Sequence, residues 1–255
     1  MKSPITKKTL HNPGESLDRK INDIVDSPIM YLVATGFFVF IAFYEWWRLY
    51  KNTPPAPLFY SLIALILICI TTWKIINTLS RVKKLKLGRE GERAVGQFLD
   101  CLRERGAKIF HDIPGEGFNL DHVVVHTSGV YVIETKTLSK PDKGEAKIIF
   151  DGNRILKNGF ELDRNPISQV QAGRRWLEEL IEQSTGHKFK IKPVVVFPGW
   201  FIEQTAEGKK SDVWVLNPKA LPAYIENSQI IMKPEELTMT SHHLDIHIRA
   251  IQTKN

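Results

Sequence analysis

Two long apolar segments stand at the start of the chain, and patterned polar and apolar sequence follows them. The segments that begin at Pro28 and Pro57 are each close to the roughly 20 residues that span a bilayer. Tyr and Trp residues gather where the first segment ends, and the short Pro-rich turn NTPPAP separates the two. The pattern predicts a transmembrane helical hairpin over residues 28–79.

The charges beside these segments predict their orientation. The stretch RVKKLKLGR follows the second segment, whereas the turn has only Arg48 and Lys51 nearby. Because positively charged flanks stay in the cytoplasm, we predict a two-pass protein of a bacterial inner membrane. Its parts are a cytoplasmic N-terminal segment (1–27), the hairpin, a basic linker (80–87) and a cytoplasmic domain (88–255). The lipid bilayer is then a partner, and the hairpin also allows homo-oligomers. The alternative is that both segments are core helices of a soluble domain.

The patterns beyond the linker predict an α/β domain. Helical spacing from residue 88 predicts a helix that ends at Gly106. The stretches AKIFHDIP, LDHVVVHTSGVYVIETKT and AKIIFDGNRILKNG predict a strand and two hairpins, which we expect to pair as an antiparallel meander. A second helix begins at Asn165-Pro166, and two strands, a short helix and a terminal amphipathic helix follow. This order predicts an α/β/α sandwich with a mixed sheet.

The hairpin NLDHVVVHTSGVYVIETK, residues 119–136, carries charges where its apolar alternation predicts a buried sheet. Residues two apart in a strand share a face, so the turn brings Asp121, Glu134 and Lys136 to one sheet edge. Two partly buried carboxylates repel each other and need a cation between them. Hard oxygen ligands of this kind suit Mg²⁺ or Mn²⁺. The pattern predicts phosphodiester hydrolysis by a metal-activated water, which Lys136 orients.

Each of the two helices adds one polar residue to this picture. Glu92 lies seven residues before Leu99, on the apolar stripe that packs against the sheet. Gln169 lies four residues before Gly173 on the second helix. We expect both side chains to reach the charged edge, where the Gln169 amide would fix the metal shell or a phosphate.

These residues resemble the nuclease-related domain, or NERD, of the PD-(D/E)XK nuclease superfamily. The resemblance spans about Gly88 to Trp200 and rests on GREGE with Glu92, NLDHVVVHTSGVYVIETKT with Asp121, Glu134 and Lys136, and NPISQ with Gln169. It implies a restriction-endonuclease-like core and Mg²⁺-dependent cleavage of nucleic acid. It further implies Asp121 and Glu134 as the main metal ligands, the backbone carbonyl of Thr135 as another, Glu92 as an auxiliary one and Lys136 as the water-activating group.

Simpler explanations exist for each charged residue taken alone. Asp121 fits a turn-capping residue at a strand start, and Glu134 with Lys136 fits an exposed ion pair. Their register, with Glu92 and Gln169 flanking them, favours the site.

Two nearby features complete the candidate region. His111, His122 and His126 are predicted to be structural or substrate-facing, because alternation points His122 away from Asp121. The turn GEG, residues 115–117, is predicted to border the substrate groove.

Composition agrees with a polyanionic partner. Lys and Arg number 35 against 28 Asp and Glu, and the pI is near 9.3. We predict Arg174, Arg175 and Lys188 as contacts to a nucleic-acid backbone, with a solvated helix face as the alternative. The two cysteines, Cys69 and Cys101, supply neither a disulfide framework nor a CxxC metal motif.

The sequence therefore predicts a membrane-anchored, metal-dependent nuclease that acts on nucleic acid, with DNA preferred to RNA. One alternative is a non-catalytic, membrane-anchored nucleic-acid-binding or scaffold protein with a nuclease-like fold. Another is an interaction protein that binds a second protein.

Overall fold

The computed structural model describes residues 11–51, 53, 56–115, 117–140 and 145–252. The chain divides into two compact units. One unit is Ser16–Leu87, and the other joins the described residues before Ser16 to those from Gly88 onward.

Two helices form the Ser16–Leu87 unit: most of α1 (Glu15–Tyr50) and the first part of α2 (Pro57–Glu104). Thr35 Oγ1 lies 2.6 Å from Thr71 Oγ1, and Trp46 Nε1 donates to Ser61 Oγ over 3.0 Å. Because the later residue of α1 meets the earlier residue of α2, the helices run antiparallel. The unit is a helical hairpin.

The apolar faces of this hairpin are largely open. The side chains of Phe40, Phe43 and Trp73 are 68%, 75% and 64% exposed. Both helices are long and apolar enough to cross a membrane, and only 0% and 11% of their most apolar windows are buried within the chain. They are therefore candidate membrane spans. Residues 80–87, expected as a linker, lie within α2 and are helical.

A five-stranded mixed sheet forms the centre of the other unit, in the order β1-β2-β3-β7-β9. Its strands are β1 (Lys108–Pro114), β2 (Asn119–His126), β3 (Gly129–Thr135), β7 (Ile191–Val196) and β9 (Trp214–Leu216). The first three are antiparallel, and β3, β7 and β9 are parallel. The predicted hairpin of β2 and β3 forms with its turn at Thr127 and Ser128. In the strand order, β3 is the middle strand of the sheet.

Helices cover both faces of this sheet, as the sequence predicts. The end of α2 and α5 (Leu221–Glu226) share one apolar cluster with the sheet. The other cluster contains α3 (Pro166–Thr185) and α6 (Pro234–Gln252). The start of α3 is fixed by Asn165, whose side chain accepts a hydrogen bond from the N–H of Ile167 over 2.9 Å.

A second mixed sheet replaces the expected continuation of the meander. Its order is β6-β5-β4-β8, with strands β4 (Lys147–Phe150), β5 (Ile155–Lys157), β6 (Phe160–Glu161) and β8 (Phe201–Gln204). The expected β4–β5 hairpin forms, but β3 is already paired on both sides, by β2 and β7, so β4 pairs with β8 instead. The prediction of a single meander was therefore wrong. The short β6, β8 and α4 (Ala206–Lys210) were not predicted.

Two glycines allow helices to approach the candidate site closely. A Cβ at Gly91 of α2 would overlap the Thr137 hydroxyl and lie 2.9 Å from its Cβ. A Cβ at Gly173 of α3 would lie 2.7 Å from Leu120 Cδ2. The absence of side chains at these positions brings Glu92 and Gln169 near the end of β3.

We predict that Gly91→Ala destabilises the domain by about 1–3 kcal/mol, because rotation of the Thr137 hydroxyl alone leaves the Cβ overlap. Thermal unfolding of the full chain measures the change. Gly36→Ala is the matched helical control, since nothing lies within 4 Å of that position. Equal unfolding temperatures for wild type and Gly91→Ala would contradict the close approach of α2.

Candidate active site at the end of the third strand

The two hairpin carboxylates meet where β2 begins and β3 ends. The backbone N–H of Thr135 donates to Asp121 Oδ2 over 2.7 Å, which fixes that carboxylate against the neighbouring strand. Glu134 shares its face of β3 with Val132 and is only 6% exposed. The pairing of β2 with β3 therefore holds both carboxylates at the same end of the sheet, where β2 begins and β3 ends. This strand end is called the charged sheet edge, and it is not an edge strand.

Burial makes both carboxylates costly to ionise. It raises the pKa of Asp121 well above the ordinary value, and the charges of Glu134 and Glu92 raise it further. The Thr135 N–H and the Lys136 ammonium act in the opposite direction. Burial also raises the pKa of Glu134, against the lowering effect of Lys136. The arrangement favours a bound proton or a bound cation.

The Lys136 ammonium lies between a carboxylate and an amide. Its Nζ donates to Glu134 Oε1 over 2.6 Å and to Gln169 Oε1 over 2.8 Å. An ammonium has three N–H donors, so one remains for a water or a phosphate oxygen. The backbone N–H of Lys136 donates to the carbonyl of Val196, which ties the residue to β7.

The structure brings both predicted helix residues to this edge. Glu92 is 9% exposed on α2, and its charge acts on Asp121. Gln169, in the first turns of α3, reaches Lys136 as described above. Thus Glu92 approaches from one face of the sheet and Gln169 from the other.

The donor set fits an open site for a hard divalent cation. No group of three or more His, Cys, Asp and Glu side chains in the described part of the chain is arranged to hold a metal ion. Mg²⁺, however, is commonly bound by one or two carboxylates, with waters and substrate phosphates as its other ligands. Asp121 and Glu134 provide two such carboxylates. Ligation by Asp121, Glu134, the Thr135 carbonyl and Glu92 stays a prediction.

The predicted nucleic-acid contacts do not all lie at the site. Arg174 forms ion pairs with Asp212 and Glu178, and Lys188 pairs with Glu182 at 3.1 Å. Lys188 follows the far end of α3, about 24 Å along the helix axis from Gln169. Arg175 is exposed. Of the three, Lys188 is placed away from the carboxylates and Arg174 is already paired with acids.

The histidines near the hairpin form a separate buried pair. The Nδ1 atoms of His111 and His122 lie 2.7 Å apart, and His111 Nε2 lies 3.1 Å from Arg103 Nη2. Burial, with the charge of Arg103, lowers the pKa of His111 to about 4, and burial lowers that of His122 well below its ordinary value. The lowered pKa values mean that both rings are neutral at neutral pH, and the two rings share a hydrogen bond. This pairing is a structural role for the two histidines.

One aromatic residue beside the site was missed in the sequence. Phe118 lines a cavity together with Glu134 and Gln169, and its ring packs against Gly115. Its only signal in the sequence is a lone aromatic residue in a polar, glycine-rich turn. Gly115 lines a different cavity, with Trp176 and His247, so the expectation that the turn 115–117 borders the substrate groove stays a prediction.

The fold is a mixed α/β domain with two mixed sheets, and Asp121, Glu134 and Lys136 lie together where β2 begins and β3 ends. Residues 87–198 match the family described as the nuclease-related domain, NERD. These residues are thus similar to that family and include all five predicted catalytic residues.

Comparison with solved structures gives one distant similarity, to Pyrococcus furiosus SfsA in complex with Ca²⁺. The identity is 16% and the TM-score is 0.23. The match covers 51% of this chain and 54% of that one, so this chain spans about half of the length of SfsA. No curated protein matches the chain.

We predict that Asp121→Asn stabilises the metal-free protein at neutral pH, by an amount on the order of 1 kcal/mol. The raised pKa means that the folded state holds its proton more tightly than the unfolded chain does. Stability therefore falls as the pH rises from about 4 through the folded pKa, and the neutral amide escapes this loss. Asn keeps an oxygen that accepts from the Thr135 N–H. Urea unfolding in EDTA at about pH 5 and about pH 8 measures the difference.

Asp151→Asn is the matched control, because the pKa of Asp151 is shifted in the opposite direction to that of Asp121. Backbone N–H groups of Asn153 and Arg154 lower the pKa of Asp151, so loss of its charge is not expected to stabilise the fold. Added Mg²⁺ or Mn²⁺ should raise the unfolding temperature of wild type and not that of Asp121→Asn. A destabilised Asp121→Asn in EDTA would mean that Asp121 is only a structural cap.

Proposed function

We propose that this protein is a membrane-anchored, metal-dependent nuclease of the PD-(D/E)XK type that hydrolyses phosphodiester bonds, with DNA as its substrate. The observation that carries the proposal is the carboxylate pair of half-buried Asp121 and buried Glu134, with the Lys136 ammonium bonded to Glu134. The similarity of residues 87–198 to a nuclease-related domain supports it.

Each residue has a separate task in the proposed reaction. Asp121 and Glu134 would hold Mg²⁺ or Mn²⁺, which supplies Lewis-acid stabilisation of negative charge on the phosphate. Lys136 directs its remaining N–H at the attacking water or at a phosphate oxygen, where it offsets the charge that develops. Gln169 holds the lysine in place, and Glu92 adds negative charge to the cation site. The Thr135 N–H keeps Asp121 in one orientation.

Lys136→Ala should lower DNA cleavage by about 100-fold or more, because it removes the charge beside the reacting phosphate. The full chain in mild detergent is incubated with plasmid and linear DNA in Mg²⁺, Mn²⁺ or EDTA, and products are separated on gels. Lys147→Ala is the matched control, since it removes the lysine of a different Lys–Glu pair, with Glu203 in the second sheet. That variant should keep wild-type activity.

The same experiment separates the enzyme from its rival, a non-catalytic nucleic-acid-binding or scaffold protein. If wild type and Lys136→Ala are equally inert with each metal, the nuclease proposal fails. Salt-dependent DNA binding without cleavage would then favour the binding module.

We further propose that the helical hairpin spans a bacterial inner membrane, with both termini in the cytoplasm. The exposed apolar side chains and the basic residues after the second apolar segment support this arrangement.

In a chain whose native cysteines are replaced by Ser, Thr53→Cys should react with a membrane-impermeant maleimide in spheroplasts. Ala223→Cys, on the exposed face of α5, should react only after lysis. The reverse pattern would overturn the orientation, and recovery of the chain in the soluble fraction would overturn the anchor.

A further inference from the structure

A small apolar cavity opens beside the candidate site. Its volume is about 170 Å³, and it lies between α3 and the strands β2 and β3. Most of the residues in its lining are apolar: Phe118, Leu120, Val132, Ile133, Val170, Ala172 and Gly173. The polar residues in its lining are Asn119, Glu134 and Gln169, and the last two are among the residues proposed for catalysis.

The wall of the cavity includes a firmly held aromatic ring. Phe118 is 37% exposed, so one part of its ring is open to solvent. The ring packs against the backbone of Gly115, where a Cβ would lie 2.8 Å from Phe118 Cζ. It also contacts Trp176 edge to face, with 5.5 Å between ring centroids. A ring held on two sides can offer its remaining surface to another planar group at little entropic cost.

One polar group in the lining of the cavity, the side-chain amide of Gln169, has a defined orientation. Lysine is only a donor, so Gln169 must turn its amide oxygen toward Lys136 Nζ. The amide nitrogen therefore points elsewhere, and it donates to no other group among the residues that the structure describes. This N–H₂ group is available to a carbonyl acceptor at the cavity.

The size of the cavity selects a single ring. An apolar cavity of about 150 Å³ accepts a benzene-sized molecule, so a volume of this order fits a six-membered ring better than a fused purine. Thymine and cytosine each combine such a ring with the O2 carbonyl acceptor.

We propose that this cavity binds the pyrimidine base of an unpaired nucleotide next to the scissile phosphate. Phe118 contacts the base, and the Gln169 amide nitrogen donates to O2. A base reaches such a pocket only when it leaves the stack, so the substrate strand is single-stranded or frayed there. This inference rests on the proposed nuclease function and adds a substrate preference to it.

The test uses the full chain in mild detergent and single-stranded oligonucleotides in which one abasic site is moved stepwise along a thymine tract. Cleavage is mapped in Mg²⁺ or Mn²⁺, and binding is measured in Ca²⁺ by fluorescence anisotropy. For wild type, we expect an abasic site at one fixed position from the cut to weaken cleavage and binding about tenfold, as loss of one stacked base does. A purine at that position should have a similar effect.

Two variants at the cavity should remove this dependence on position. Phe118→Ala deletes the aromatic wall, and Ala172→Met fills the cavity from an exposed helix position. Phe160→Ala is the matched control, because Phe160 is 78% exposed and is not part of the cavity wall. It should keep the wild-type pattern.

The outcomes distinguish the two proposals. Cleavage that is equal at all abasic positions overturns the base pocket and leaves the nuclease proposal intact. Binding that depends on the abasic position and on Phe118, without cleavage, supports the pocket and overturns the nuclease. A protein that neither binds nor cuts the oligonucleotides overturns both.

Discussion

The repulsion between two carboxylates, one half-buried and one buried, is the constraint on which the candidate site depends. Asp121 and Glu134 occupy neighbouring strands at one sheet edge, where burial raises the pKa of both. Replacement of buried charged groups by apolar residues of similar volume is often neutral or stabilising for a fold. Instead the surrounding structure holds the charges in place: the Thr135 N–H binds one carboxylate and Lys136 binds the other. Two local features allow this arrangement. The register of β2 against β3 places the two carboxylates side by side, and Gly91 and Gly173 let the two helices approach them closely.

Lys136 forms a hydrogen bond with only one of the two hairpin carboxylates, Glu134. Its ammonium pairs with Glu134 and also with the neutral amide of Gln169. Asp121 receives a single backbone N–H, while the charges of Glu134 and Glu92 both act against its ionisation. The exposed pair of Lys147 and Glu203 shows the contrast, because there one lysine faces one carboxylate at the protein surface. In the proposed nuclease, a divalent cation would offset the charges of Asp121 and Glu134, whereas the surface pair is already neutral.

The sequence predicted the local structure well, since local patterns determine it. Alternation in residues 119–136 located the hairpin and its turn, and helical spacing from Leu99 and Gly173 placed Glu92 and Gln169 toward the sheet. Pairings between distant segments were not predictable in this way. The β4–β5 hairpin carries no signal that its outer neighbour is β8 instead of β3, because pairing with β8 depends on residues some 50 positions further along the chain. Charge counts likewise gave no sign that Arg174 meets Asp212. The cavity beside Phe118 was missed because it arises from three separate segments.

The cost of the buried charges also bears on which function this domain supports. A module that only binds nucleic acid obtains its affinity from lysines and arginines that contact phosphates. It would gain nothing from carboxylates turned toward a polyanion, and Glu92, Asp121 and Glu134 would repel the substrate that it binds. A divalent cation reverses this balance, because it neutralises the carboxylates and presents positive charge to a phosphate. The same three residues then attract the backbone at one point only, next to Lys136. An acidic site inside a basic protein therefore supports the proposal of catalysis at a single phosphate over the rival proposal of binding along a strand.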